Sequence, residues 1–109
     1  MAYDEDLANR IRELLADERV TEKKMFGGLA FLIGGNMSVA ASGQGGLLVR
    51  VDPEDTDKLL EKPHVDLMEM RGRSMKGWLR VGEEGIRTKR QLQAWVGRGV
   101  AYARSLPAK

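Results

Sequence analysis

Cysteine is absent from the 109-residue sequence, and histidine occurs once, at His64. Without cysteine the chain has no disulfide bonds, thiolate nucleophiles or thiolate metal ligands. A single imidazole cannot supply the several that a histidine-based zinc site requires, so only carboxylate-based metal binding remains. His64 follows Pro63 and has no serine or cysteine partner at a recognisable spacing. We therefore interpret it as a surface residue rather than a catalytic one.

Long apolar runs are also absent, since no stretch approaches the ~20 apolar residues that a membrane-spanning helix needs. The N-terminal sequence Met-Ala-Tyr-Asp-Glu-Asp lacks the basic start and apolar centre of a secretory signal. With 42% hydrophobic and 31% charged residues, the composition is that of a globular protein. We expect a single soluble domain over residues 1–109, cytoplasmic and without membrane contact.

The formal net charge of +2 conceals an uneven distribution along the chain. Residues 1–70 carry 8 basic and 14 acidic side chains, whereas residues 71–109 carry 10 and 2, which gives −6 and +8. A strongly basic half can bind phosphates or acidic partners. The alternative is that the two halves neutralise each other across the folded surface.

Two segments in the first two thirds of the chain have the pattern of helices. Apolar residues recur at helical spacing from Asp4 to about Asp17. Asp52, followed by Pro53 and two acids, predicts a short helix that runs to about Glu61.

A third helix is predicted near the end of the chain. Thr88 is a suitable N-cap with Gln91 three residues later, and the helix should run to about Leu106. Trp95 lies on its apolar arc and is expected to be a core residue. Gly99 lies on the same arc, where it would let the helix backbone approach the sheet closely.

Alternating apolar residues predict five strands, at 29–33, 37–41, 47–51, 67–71 and 77–81. Turns at 34–36 and 42–46 link the first three strands into an antiparallel meander, and a loop at 72–76 links the last two into a hairpin. The polar stretch 18–24 is either a connection or a short edge strand.

These elements predict an α+β fold of the order α-β(3)-α-β(2)-α. Each strand has one clearly more apolar side, which favours an antiparallel sheet with the helices on one face. The predicted architecture is therefore a two-layer α/β sandwich.

The segment Lys24-Met25-Phe26-Gly27-Gly28, followed by a strand and a hairpin at 34–37, carries a family resemblance. Together with the strand 47–51 and a closing helix that contains Trp95, it resembles the N-terminal domain of the TfoX/Sxy family of bacterial competence regulators. The resemblance covers residues 11–104. It implies one TfoX N-terminal-like domain with a two-layer α/β fold and a place in transcription regulation, and it supplies no catalytic residues.

No motif in the sequence has the composition and spacing of a catalytic site. A phosphate-binding loop needs a glycine-rich turn that opens a helix, whereas the glycines at 27–28 and 34–35 precede or separate predicted strands. The acids at 4–6 and 52–55 lie at predicted helix starts, where negative charge is favourable. Ser74 lies in a predicted loop without a base to activate it. We expect no enzymatic activity, no metal and no cofactor, and the sequence identifies no small-molecule substrate.

The side of the sheet opposite the helices is the more informative feature. Strand alternation turns ten residues towards the helices: Leu29, Phe31, Ile33, Val39, Val49, Val51, Met68, Met70, Leu79 and Val81. It leaves six on the other face: Leu32, Leu48, Arg50, Arg71, Trp78 and Arg80. An aromatic and apolar patch edged by arginines suits a protein interface, or base stacking with phosphate contacts. An ordinary exposed face is the third interpretation.

A second basic surface is formed by Arg90, Arg98 and Arg104 on one arc of the last predicted helix. A solvated helix face explains this arc without any partner. Gly97 lies near it and has no evident role.

Our functional hypothesis from the sequence is a small non-enzymatic binding protein that acts in regulation through protein contacts, including contacts with a second copy of itself. The alternative is a direct DNA- or RNA-binding protein that uses the basic C-terminal half.

Overall fold

A computed structural model describes residues 4–25, 27–43, 45–70 and 72–108. These residues include three α-helices, α1 (Glu5–Leu14), α2 (Thr56–Leu60) and α3 (Lys89–Ser105). Short 3-10 turns, Pro53–Asp55 and Glu83–Ile86, precede α2 and α3. None of the described helices is long and apolar enough to cross a membrane.

Capping side chains explain where α1 and α3 begin. Asp4 accepts hydrogen bonds from the N–H groups of Asp6 and Leu7, which satisfies two donors at the start of α1. Thr88 and Gln91 form the predicted capping box at the start of α3. Asp52 caps the 3-10 turn rather than an α-helix, so the predicted helix at 53–61 is divided into that turn and the five-residue α2.

The described residues form one six-stranded sheet: β1 (Thr21–Met25), β2 (Gly28–Ile33), β3 (Asn36–Ala41), β4 (Leu47–Arg50), β5 (Val65–Met70) and β6 (Arg73–Val81). The spatial order is β1-β2-β3-β4-β6-β5, and all neighbouring strands are antiparallel. The α+β class and the antiparallel sheet are therefore confirmed. The predicted order α-β(3)-α-β(2)-α is corrected to α-β(4)-α-β(2)-α by β1.

Strand β1 has four exposed residues among its five, including Lys23 and Lys24. Its polar sequence carries no apolar alternation, which is why the sequence alone left a connection and an edge strand equally open. Charged side chains on an edge strand discourage pairing with another sheet. The loop predicted at 72–76 is wrong for a related reason, because β6 already begins at Arg73 and continues through a polar stretch.

Two irregularities interrupt the regular pairing of the strands. The pairing of β2 with β3 shifts between Phe31 and Leu32, and Ser38 is the residue of β3 left without a counterpart. The pairing of β5 with β6 shifts between Leu67 and Met68. Met68 was expected to face the helices, but it packs on the opposite side of the sheet. Val65 and Leu67 of β5 pack on the helix side, so alternation places Met68 on the other face. The prediction was wrong because it took Met68 rather than Leu67 as a helix-facing residue.

The main core lies between the helices and one side of the sheet. Phe31, Val49 and Leu79 from the strands are buried there with Ile11 of α1 and Trp95 of α3. The other side of the sheet carries a second, smaller cluster of buried residues, which are Ala30, Met37, Ala40, Leu48 and Met68. The sheet therefore has apolar side chains packed on both of its faces.

The end of the chain is tied to the β2–β3 hairpin. Gly34 and Gly35 both have positive φ in the hairpin turn, as predicted. The buried Asn36 that follows donates a hydrogen bond from Nδ2 to the carbonyl oxygen of Pro107, at 2.9 Å. The residues after α3 therefore run beside the tip of the hairpin.

Helix α3 approaches β3 most closely at Gly99. A Cβ atom added to Gly99 would overlap the carbonyl oxygen of Ser38 and would lie 2.8 Å from Cγ1 of Val39. The buried Ser38 hydroxyl donates to the carbonyl oxygen of Phe31 at 2.8 Å, which fixes the bulge beneath the helix. At Gly97, two residues earlier, an added Cβ would point into open space, with no heavy atom beyond the neighbouring turns of its own helix within 4 Å.

We expect Gly99→Ala to lower the free energy of unfolding by ~1–3 kcal/mol, because the added methyl group forces the helix away from the sheet. Gly97→Ala should raise it by ~0.5–1 kcal/mol, since alanine has the higher helix propensity and meets no obstacle. Urea denaturation of both variants measures the two effects. A change of the same sign in both variants would contradict the close contact at Gly99.

An ion pair connects α1 to the edge strand β1. Arg12 donates from Nε and Nη2 to the two carboxylate oxygens of Glu22, at 2.6 and 2.7 Å. These hydrogen bonds lower the pKa of Glu22, while partial burial opposes the shift and the charge of Arg12 adds to it. Both side chains are more than a third exposed, so solvent weakens the interaction.

Because the pKa of Glu22 is lowered in the folded state, its contribution to stability is present above the usual glutamate pKa. It is lost as the pH falls through the folded-state value. We expect Glu22→Gln to cost at most ~1 kcal/mol near neutral pH, and the difference from the original protein to disappear in acid. Urea denaturation across this pH range tests the prediction. A difference that persisted in strong acid would assign the effect to packing rather than charge.

Candidate functional site

Five of the six residues predicted on the open side of the sheet lie on its face opposite the helices. By strand alternation, Leu48 and Arg50 of β4 and Trp78 and Arg80 of β6 point away from the main core, and Leu32 of β2 packs on the same second cluster. The sixth residue, Arg71, lies outside the described residues. We call this surface the sheet face.

The apolar part of the sheet face has an exposed layer and a buried layer. Leu32 and Trp78 are half-buried and pack on the second cluster. Leu48 is only 4% exposed, so it supports this surface from below. Met25, at the end of β1, is also half-buried and belongs to the exposed layer. Sequence reasoning missed Met25 because it did not assign a strand to that segment.

Arg50 is held between two aromatic rings. Its guanidinium carbon lies 5.1 Å from the ring centroid of Trp78, its cross-strand partner, and 5.5 Å from that of Tyr102 on α3. Cation–π attraction to both rings restricts this otherwise mobile side chain. Tyr102 was not predicted to take part. Only its position four residues after Arg98, on the same helix face, hinted at a role.

Gly77 sets the position of Trp78 at the bulge in β6. Its φ of 86° belongs to the region that side chains other than glycine rarely adopt. The N–H group of Gly77 donates to the buried hydroxyl of Thr56 at 2.9 Å, and its carbonyl accepts from Val51 at 2.8 Å. These bonds tie the strand to the segment that starts α2, so Trp78 projects from a fixed backbone.

Arg80 occupies a more acidic environment than Arg50. Its Nη2 donates to the carbonyl oxygen of Gly45 at 3.4 Å, and Asp66 is its cross-strand partner in β5. Arg80 lines a groove of about 850 Å³ together with Asp66 and Glu69. The positive character of the sheet face is therefore stronger around Arg50 than around Arg80.

The arginines of the second predicted basic surface have three different environments. Arg90 is exposed in the first turn of α3. Arg98 stacks on Trp95, with its guanidinium carbon 4.6 Å from the ring centroid. Arg104 forms an ion pair with Glu18, which is an instance of the acidic and basic halves neutralising each other.

The remaining candidate groups do not assemble into a reaction centre. Among the described residues, no group of three or more histidine and acidic side chains is placed to hold a metal ion. His64 lies in a turn with positive φ, and its Nε2 is 3.6 Å from Glu84. Ser74 is an exposed residue of β6 rather than part of a loop.

The two tryptophans differ in accessibility, and this difference can be measured. Trp95 is 5% exposed, whereas Trp78 is half-buried on the sheet face. We expect Trp78→Phe to remove the part of the fluorescence that acrylamide quenches readily and to leave blue-shifted emission from Trp95. If the quenching of Trp78→Phe equals that of the original protein, Trp78 does not lie on an accessible surface.

Comparisons with known proteins place the chain in a family. No curated protein and no solved structure gives a significant match. The family model described as the TfoX N-terminal domain matches residues 13–103 of the 109. The match includes all six strands of the sheet and most of α3. It therefore spans the elements that build the sheet face, and the chain belongs to the TfoX N-terminal domain family.

Proposed function

We propose that this domain is a non-enzymatic binding module that acts in regulation by docking a protein partner on the sheet face. The observation that carries the proposal is the half-exposed Trp78, stacked against Arg50 above a buried apolar layer. Membership of a competence-regulator family supports a regulatory role. A cytoplasmic location belongs to the same proposal.

The composition of the sheet face favours a protein partner. Tryptophan, arginine and methionine are enriched at the centres of protein interfaces, and the surface combines Trp78 and Arg50 with Met25. The aromatic contacts of Arg50 restrict its side chain before any partner arrives, so less conformational entropy is lost on binding. Trp78 projects from a backbone that the hydrogen bonds of Gly77 hold in place. This also reduces the conformational entropy that is lost on binding.

The non-enzymatic part of the proposal rests on the chemistry of the chain. Cysteine is absent and the one imidazole lies near a glutamate rather than a nucleophile. The serine at position 74 is exposed on a strand, where nothing in the described structure activates it. Binding therefore explains the arrangement better than catalysis.

Nucleic acid is the second candidate for the sheet face. An open sheet that displays an aromatic ring beside an arginine can stack bases and contact phosphates. The acidic neighbours of Arg80, Asp66 and Glu69, favour the protein partner because they repel a phosphate backbone. The two candidates differ in their response to salt, since phosphate contacts weaken steeply as the ionic strength rises.

We expect Trp78→Ala to weaken partner binding or self-association by tenfold or more, as truncation of a central aromatic residue does at other interfaces. Arg50→Ala should have a smaller effect in the same direction. Arg87→Ala removes an equal charge from an exposed residue before α3 and serves as the matched control. Sedimentation velocity measures self-association, and affinity capture from cells that express the protein identifies a partner.

The proposal fails if the protein is monomeric and captures no protein, or if Trp78→Ala binds as well as Arg87→Ala does. Labelled DNA and RNA test the second candidate at low and high salt. Binding that weakens steeply with salt and with Arg80→Ala would assign the sheet face to nucleic acid, and the absence of binding at low salt would exclude that function.

A further inference from the structure

A groove of about 580 Å³ lies between α2 and α3. The residues that line it from α2 and its flanks are Asp55, Lys58, Leu59 and Lys62, and those from α3 are Arg98, Ala101, Tyr102 and Ser105. Both sets are spaced three and four residues apart, so each helical segment turns one whole face into the groove. Val51 and Asp52, after β4, complete the lining.

Positive charge predominates in this groove and is not neutralised by ion pairs. Lys58, Lys62 and Arg98 contribute three cations, against the carboxylates of Asp52 and Asp55. Asp52 is engaged as a cap, since its Oδ1 accepts from the N–H group of Glu54 at 3.0 Å. Within the part of the chain that the structure describes, none of the three cations forms an ion pair.

Two arginines, Arg98 in the groove lining and Arg50 next to Tyr102, stack on aromatic rings. Arg98 stacks on Trp95 at 4.6 Å, and Arg50 lies between Trp78 and Tyr102, at 5.1 and 5.5 Å. Tyr102 connects the two, because it follows Arg98 by four residues on α3 and contacts Arg50 directly. Neither guanidinium donates a hydrogen bond to an acceptor among the described residues. Their N–H groups are therefore free to pair with an oxyanion.

The volume of the groove and the residues at its floor indicate what kind of molecule would carry the oxyanion. A volume of about 580 Å³ is in the range of small-molecule sites rather than extended protein interfaces. Leu59 and Val51 are buried beneath it and Tyr102 offers part of its ring. We propose that this groove binds a small organic anion, with an apolar or aromatic body on this floor and a phosphate or carboxylate head near the cations. The proposal does not depend on a partner at the sheet face.

The test uses the full chain and four probes that separate head from body. Phenyl phosphate and benzoate combine a ring with an anionic head, inorganic phosphate supplies the head alone, and benzyl alcohol supplies a ring without charge. Titrations followed by amide chemical shifts measure the affinity and locate the site. We expect saturable binding of phenyl phosphate, benzoate or both, with shifts in residues 58–62 and 98–105. Inorganic phosphate should bind more weakly and benzyl alcohol should not bind.

Charge-removing variants then test the residues. We expect Arg98→Gln and Lys62→Gln each to weaken the binding of phenyl phosphate or benzoate about tenfold, since each removes a charged hydrogen-bond donor. Arg90→Gln removes the same charge from an exposed position that does not line the groove. This variant should bind phenyl phosphate or benzoate as tightly as the original protein does. Lys62 is exposed and makes no stacking contact, so its variant remains informative if Arg98→Gln unfolds.

The outcomes separate the sources of the head group. Preference for phenyl phosphate assigns the ligand to phosphorylated compounds, and preference for benzoate assigns it to carboxylates. The proposal is overturned if no probe binds saturably, if the shifts map outside the groove, or if Arg90→Gln weakens binding as much as Lys62→Gln does.

Discussion

The fold depends on the contact between α3 and β3 at backbone distance. Because Gly99 has no side chain, the helix rests on the carbonyl of Ser38, and α3 can then pack against β2, β3, β4 and α1 together. A domain of this size has room for little more than one core. The single long helix α3 covers that core by itself. A side chain added at Gly99 would therefore disturb the packing of α3 against all of these elements at once.

The same arrangement explains why the candidate binding residues gather at the ends of α3 and β4. Packing at Gly99 holds the centre of α3 against the sheet. Side chains in the turns of α3 after Gly99 extend beyond the end of strand β4. Tyr102 thus meets Arg50, which belongs by strand alternation to the other side of the sheet. Arg50 contacts Trp78 on the sheet face and Tyr102, which also lines the groove between α2 and α3.

The sequence was sufficient for the features whose cause is local. Caps at Asp4 and Thr88, the glycine turn at 34–35 and the buried position of Trp95 all follow from neighbouring residues, and each was predicted. Strand β1 was left undecided because an edge strand is defined by its neighbour rather than by its own apolar pattern. Met68 was placed on the wrong face because both Leu67 and Met68 are apolar, so the sequence did not show which of them faces the helices; Leu67 and Val65 do.

The parts of the site that could not be predicted depend on tertiary contacts. Arg50 and Tyr102 are 52 positions apart, and no periodicity links them. The groove needs two helices whose separation is set by the sheet beneath them. The choice of Trp78 and Arg50 as surface residues needed only alternation, whereas their stacking depends on the pairing of β4 with β6, which the sequence did not give.

The hydrogen bond from Asn36 to Pro107 has a consequence for any polypeptide joined to this domain. After α3 the chain runs beside the tip of the β2–β3 hairpin, where Ala108 Cβ would lie 3.4 Å from a Cβ atom added to Gly34. A second domain, an affinity tag or a fluorescent reporter fused after Ala108 would therefore start beside the hairpin tip. The length of the linker that follows determines which surfaces of the domain the fused unit can reach.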